Sequence, residues 1–168
     1  MDELLQLHRD VDEAARELAR RHAARLSCGR GCAACCVDGI SVFEVEASRI
    51  RRYHEALLRT ARPHAPGACA FLDHEGACRI YEDRPYVCRT QGLPLRWFDE
   101  AEDGATVELR DICPLNDDSG QPLEMLSEAD CWTIGPYESR LAALQSGNPK
   151  AQRVLLRDLF AAERDRPA

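Results

Sequence analysis

Four cysteines fall within nine residues, Cys28-Gly29-Arg30-Gly31-Cys32-Ala33-Ala34-Cys35-Cys36, and no other stretch limits the fold so strongly. Thiols this close have three readings: metal ligation, a disulfide framework or a redox-active pair. Crowded thiolates repel one another unless a cation shares them, as a soft metal ion or an iron-sulfur cluster does. Gly29 and Gly31 can supply the positive φ that a backbone wrapped around a small object needs, and Ala33 and Ala34 leave room for it. Metal ligation is the favoured reading.

A length of 168 residues suits one domain with a core of its own. We expect a single domain over 1–168: an N-terminal helix at 1–26, a cysteine-cluster metal-binding core at 27–116 and C-terminal helices at 127–164. No apolar run approaches the roughly 20 residues that cross a bilayer, so no membrane association is expected. The acidic N-terminus lacks the basic and apolar regions of a secretory signal, and the expected location is cytoplasmic. A reducing compartment disfavours disulfides, and nine cysteines is an odd count. The net charge of −7 and a pI near 5.3 argue against a nucleic-acid partner, which calls for a basic face.

Apolar residues recur at three- and four-residue steps over 2–26, from Leu4 to Leu26, and predict an amphipathic helix. His22 lies on its apolar stripe, where a buried, hydrogen-bonded histidine is a better expectation than a metal ligand. Residues 40–43 read as a short strand or an extended lead-in. A second helix follows over 44–61 and ends before Pro63. Glu44 and Glu46 near its start suit the helix dipole, with a carboxylate turned to the metal as the sharper alternative. Further on, 95–98 and 106–109 suggest a hairpin, 116–122 a polar loop without evident chemistry, and 127–130 a capping-box-like helix start. A helix over 136–145 and a last one from Asn148-Pro149 to about residue 164 complete the expected order.

The second informative stretch runs from Cys69 to Arg89. A tight turn at 73–76 brings Cys69 and Cys78 together on its two arms, and Pro85 opens a short helix that presents Cys88. Arg79, Arg84 and Arg89 sit among these thiols, placed to offset negative charge. Together, Gly31-Cys32-Ala33-Ala34-Cys35-Cys36 and Cys69-x-Phe71-Leu72-Asp73-x2-Gly76-x-Cys78-x-Ile80-Tyr81-x2-Arg84-Pro85-x2-Cys88-Arg89 resemble the YkgJ-type cysteine-cluster family. The likeness is close over 28–89 and looser through Cys113-Pro114-Leu115-Asn116. It implies a domain that chelates zinc or iron. Relatives of this domain occur within flagellin lysine methylases, so the resemblance permits an enzyme without requiring one. Ala70 stands where members often carry proline, a departure that touches no ligand.

The expected metal ligands are Cys28, Cys32, Cys35, Cys36, Cys69, Cys78, Cys88, Cys113 and Cys131, with Cys131 equally well read as a small buried hydrophobe. Eight thiols suffice for two four-ligand centres. In an extended chain adjacent Cys35 and Cys36 would point apart. Only Cys32-x2-Cys35 has the form of a zinc knuckle, so an iron-sulfur cluster or other iron centre ranks ahead of zinc. The role expected is structural, metal-handling or electron transfer, with a redox or substrate protein as the candidate partner. The alternatives are a zinc-binding structural domain, or an iron enzyme with an open metal position in which Arg84 and Arg89 orient an anionic cofactor or substrate. No catalytic residue is identifiable, because no hydrolase triad, phosphate loop or HExxH helix is present, and a thiol oxidoreductase lacks its βαβ setting. The fold expected is mainly α, a small single domain with irregular cysteine-rich loops and a short β-hairpin.

Overall fold

The computed structural model describes residues 2–29, 31–116, 120–146 and 152–160. Five helices and five strands alternate with short 3-10 turns. In order they are α1 (Asp2–Arg21), β1 (Ser41–Phe43), α2 (Glu44–Tyr53), α3 (Glu55–Thr60), α4 (Tyr86–Thr90), β2 (Leu95–Glu100), β3 (Thr106–Asp111), β4 (Trp132–Thr133), α5 (Pro136–Leu144) and β5 (Arg153–Leu155). Helix accounts for 43% and strand for 15%, the strands lying in two small sheets, so the expectation of a mainly α chain is overturned.

Two short strands account for the difference. β5 pairs antiparallel with β1, Val42 opposite Val154, where the sequence suggested the middle of a last helix. Val154 and Leu155, followed by Leu159 and Phe160, satisfy a helical spacing, but a three-residue strand is too short to show its own period. The proposed cap of that helix, Asn148-Pro149, lies outside the described residues, as does everything after Phe160. β4 pairs in parallel with β2, Leu95 opposite Trp132, and completes a three-stranded sheet in the order β3-β2-β4. The hairpin itself appears as expected, two residues longer on each strand. The segment at 127–130 yields a single 3-10 turn instead of a helix, because Ser127 Oγ bonds the Asp130 carboxylate and no side chain caps a backbone N–H.

The apolar stripe of α1 is the foundation of one core. Leu4, Leu7, Val11, Ala15 and Leu18 are buried against Tyr86, Leu93, Trp132 and Leu141. The helix ends at Arg21, and the turn beyond it contains His22, whose Nε2 lies 2.8 Å from the carbonyl oxygen of Asp130. A second core joins α2 and α3 to the segments at 69–80 and 156–160, with Phe71 and Phe160 rings 4.9 Å apart. His54 divides the expected second helix into α2 and α3. Cys36, Cys78 and Val87 pack on the edge of this second core, so both cysteine-rich segments rest on the same apolar foundation. No described helix is long and apolar enough to cross a membrane.

Candidate metal centre

The two cysteine-rich segments are joined through their backbones. The N–H of Cys69 donates to the carbonyl of Cys36 at 2.8 Å. Each segment is also folded back on itself by local turns. Cys36 N–H donates to Ala33 O at 2.9 Å, closing a turn over Ala34 and Cys35. Asp73 accepts the N–H groups of Glu75 and Ala77 on one carboxylate oxygen, and Leu72 bridges Cys78, so the arms carrying Cys69 and Cys78 run side by side. The N–H of Cys88 donates to Pro85 O at 2.9 Å in the first turn of α4. Pro85 occupies the cap position of α4, one residue earlier than expected.

The turn at 33–36 reverses one expectation. Cys35 and Cys36 do not point apart, because the chain there is turned and not extended. The two thiols interact side by side, which lowers the Cys35 pKa to about 6, while the same interaction, with burial and the neighbouring sulfurs, pushes Cys36 up. Cys69, Cys78 and Cys88 are each pushed up, first by burial. The sulfurs feel one another: Cys69 and Cys88 act on Cys36, Cys69 on Cys78, and Cys69, Cys78 and Cys35 on Cys88. Five thiols thus share one electrostatic neighbourhood, and Glu46 is a further negative charge within reach of Cys88.

Two arginines stabilise the cluster from behind. Arg157 donates to Asp38 at 2.8 Å, to His64 O at 2.7 Å and to Ala68 O at 2.8 Å, linking the loops that follow Cys36 and precede Cys69. Arg79 donates to Ala70 O at 2.7 Å and to Arg62 O at 3.1 Å. Both guanidinium groups lower the Cys69 pKa against the effect of burial. Arg84 and Arg79 likewise act to lower the Cys78 pKa against burial, and Arg84 and Arg89 are also tied to the fold. Arg89 reaches Asp12 of α1 at 2.5 Å and Glu82 O at 3.1 Å; Arg84 bonds Tyr81 O at 3.0 Å and lies over the Tyr81 ring. These contacts engage both side chains within the fold.

The remaining cysteines lie elsewhere. Cys28 is exposed, with its sulfur 3.3 Å from Asn116 Nδ2, and Cys113 shares that locality through the bond from Asn116 N–H to its carbonyl. Cys32 closes the turn from Gly29. Cys131 is buried beside Arg96 and Arg110 and is pushed up chiefly by that burial, with Glu108 and Asp130 acting in the same direction and the two arginines against it. Glu44 pairs with Arg51, and Glu46 with His8. Sequence reasoning missed Asn116, Arg157 and Asp38. The first looked like part of a polar loop, and the others carry no signal until the loops they join are adjacent.

Among the described residues, no three His, Cys, Asp or Glu side chains converge as a finished ligand set. The donor chemistry nevertheless fits a thiophilic ion, for the shared neighbourhood is built of sulfur and backed by guanidinium charge. A thiol cluster drawn from two cysteine-rich segments, on a mixed helix-and-sheet scaffold, is the arrangement to set beside known metal-chelating domains. Residues 27–114, more than half of the chain, match the CxxCxxCC family, described as "Putative zinc- or iron-chelating domain", and the chain belongs to that family. No curated protein and no solved structure matches the chain.

Proposed function

We propose that the protein holds an iron centre, a cluster or directly thiolate-bound iron, through Cys35, Cys36, Cys69, Cys78 and Cys88. In this reading it serves in the cytoplasm in a structural, metal-handling or electron-transfer role. The observation that carries this reading is the 2.8 Å bond between Cys69 N–H and Cys36 O, which sets the two cysteine-rich segments side by side. Five neighbouring thiols exceed the four that a tetrahedral zinc ion accepts, which favours a polynuclear centre. Because the sulfurs stand near one another without converging, metal draws them inward, so binding and local ordering are coupled. Cys28, Cys32 and Cys113 remain available for a second centre. The enzyme reading gains nothing from Arg84 and Arg89, which are engaged with Asp12, Tyr81 and Glu82.

The test is anaerobic purification followed by analysis for iron, zinc and acid-labile sulfide on one sample, with its absorption spectrum. Iron with sulfide supports a cluster. Iron without sulfide supports directly bound iron, and a colourless protein containing only zinc overturns the iron reading.

A further inference from the structure

β3 is the outer strand of the sheet β3-β2-β4. Which of its backbone groups face outward follows from the other side of the sheet. Ile134 N–H donates to Arg96 O at 3.0 Å, so Arg96 turns its own N–H and C=O toward β4 and away from β3. Arg110 stands opposite Arg96 in the β2–β3 register, and in such a pair both residues point their backbone groups away from each other. By the two-residue alternation of a strand, Thr106, Glu108 and Arg110 therefore aim their N–H and C=O groups at the outer edge. Among the described residues no backbone group pairs with them. Glu108 is exposed although its side chain is only 28% exposed, which assigns the exposure to the main chain. Strand edges are commonly blunted by a bulge, a proline or lysines. β3 has an unbroken register against β2 and neither of those residues.

We infer that this edge docks β3 of a second copy of the chain, paired antiparallel about a two-fold axis at Leu109 so that the two sheets become one. Charge selects the occupant. Edge-to-edge pairing must match outward-pointing residues with outward-pointing residues, so the axis falls on a residue of the strand. An axis at Glu108 or at Arg110 sets that residue against its own copy, like charge on like charge, and one at Val107 leaves Arg110 opposite Gly104 in the turn. An axis at Leu109 sets Glu108 opposite Arg110 of the second copy on both sides of the axis, the self-complementarity that a two-fold interface requires. It also makes the two Leu109 side chains, each 38% exposed, a closely spaced pair. Arg110 uses Nε on Glu108 and Nη1 on the carbonyls of Leu123 and Leu126, which leaves Nη2 to reach across. One strand edge and one leucine bury little area, so the association is weak and concentration-dependent. The interface uses no cysteine and stands apart from the metal reading.

The experiment is sedimentation velocity on the full-length chain, in reductant, over a concentration series from micromolar to sub-millimolar. The apparent mass of the wild type is expected to rise from one chain toward two. Glu108→Arg and Arg110→Glu each set like charges opposite one another and are expected to weaken association at least about tenfold. An equimolar mixture of the two restores opposite charges and is expected to recover it. Glu108→Pro removes an outward N–H without touching the β2–β3 ladder; it is expected to be monomeric and serves where a charge reversal disturbs the fold. A wild type that stays monomeric throughout overturns the inference and leaves the edge to a strand of another protein. A dimer that survives both Glu108→Arg and Glu108→Pro lies elsewhere on the surface, and one that forms only without reductant is held by thiols; either result overturns it. Failure of the mixed variants to recover association overturns it as well.

Discussion

His8 Nε2 and Glu46 Oε1 lie 3.0 Å apart in the interior, joining α1 to α2 where both side chains are about 95% buried or more. The same glutamate oxygen accepts the N–H of Tyr86 at 2.7 Å, in the first turn of the helix that presents Cys88. One carboxylate thus connects three helices. Removing a partner from a buried pair leaves the other uncompensated, so Glu46→Ala is expected to lower unfolding stability by about 3 kcal/mol. Glu46→Gln keeps an acceptor for Tyr86 and costs less, about 1–2 kcal/mol. Urea unfolding of both variants checks the order.

Arg157 joins the loops on either side of the thiol cluster through Asp38, His64 O and Ala68 O. Each bond involves a charged donor, and replacing Arg157 by methionine leaves several acceptors unmatched while retaining the apolar stem. The expected loss is about 2 kcal/mol of stability, together with weaker metal retention under chelator challenge. Unchanged retention would separate the arginine from the site.

Asp83 supplies a pH test. Burial opposes its ionised form, but hydrogen bonds from Arg49, at 2.5 and 3.0 Å, and the contact with His54 at 2.8 Å outweigh it and hold its pKa below the ordinary carboxylate value. Because the folded pKa is the lower one, the stabilisation is present above the unfolded value of about 3.9 and is lost as pH falls through the folded pKa. Wild type is expected to exceed Asp83→Asn in stability at pH 5, with the margin shrinking by pH 3. Urea midpoints at the two pH values read it directly. A constant margin would contradict the assignment.

Cys131 separates packing from ligation. It is 7% exposed, and the charged groups that act on it most are Arg110, Arg96, Glu108 and Asp130. Cys131→Ala is expected to leave metal content unchanged and to cost about 1 kcal/mol as a small buried truncation. Cys69→Ala, at the bond between the cysteine segments, is expected to reduce metal content. Elemental analysis of the two variants in parallel makes the comparison.

The two cysteine-rich segments and the turn at Asp73 to Gly76 could be read from spacing, because both are local signals. The α1 stripe and the hairpin were legible for the same reason, each long enough to show a period. What escaped was non-local. The pairing of β5 with β1 places Val154 opposite Val42, 112 positions away, and three residues carry no period of their own. Asn116 resembled any polar loop residue because its partners, Ser27, Cys28 and Gly92, come from two distant segments. Arg84 and Arg89 suggested charge balance by proximity in sequence; Arg84 does act on Cys78, while the pairing of both with Asp12 of α1 was not legible. The mutual orientation of Cys35 and Cys36 depended on a turn that two alanines do not announce.

The most direct test of a shared centre is X-ray absorption at the metal edge, combined with mapping of alkylated cysteines in metal-loaded and metal-free protein. The account predicts a sulfur-dominated first shell near 2.3 Å, the distance characteristic of metal–thiolate bonds, and joint protection of Cys35, Cys36, Cys69, Cys78 and Cys88 when metal is bound. A shell of nitrogen and oxygen, or protection confined to one cysteine-rich segment, would contradict it.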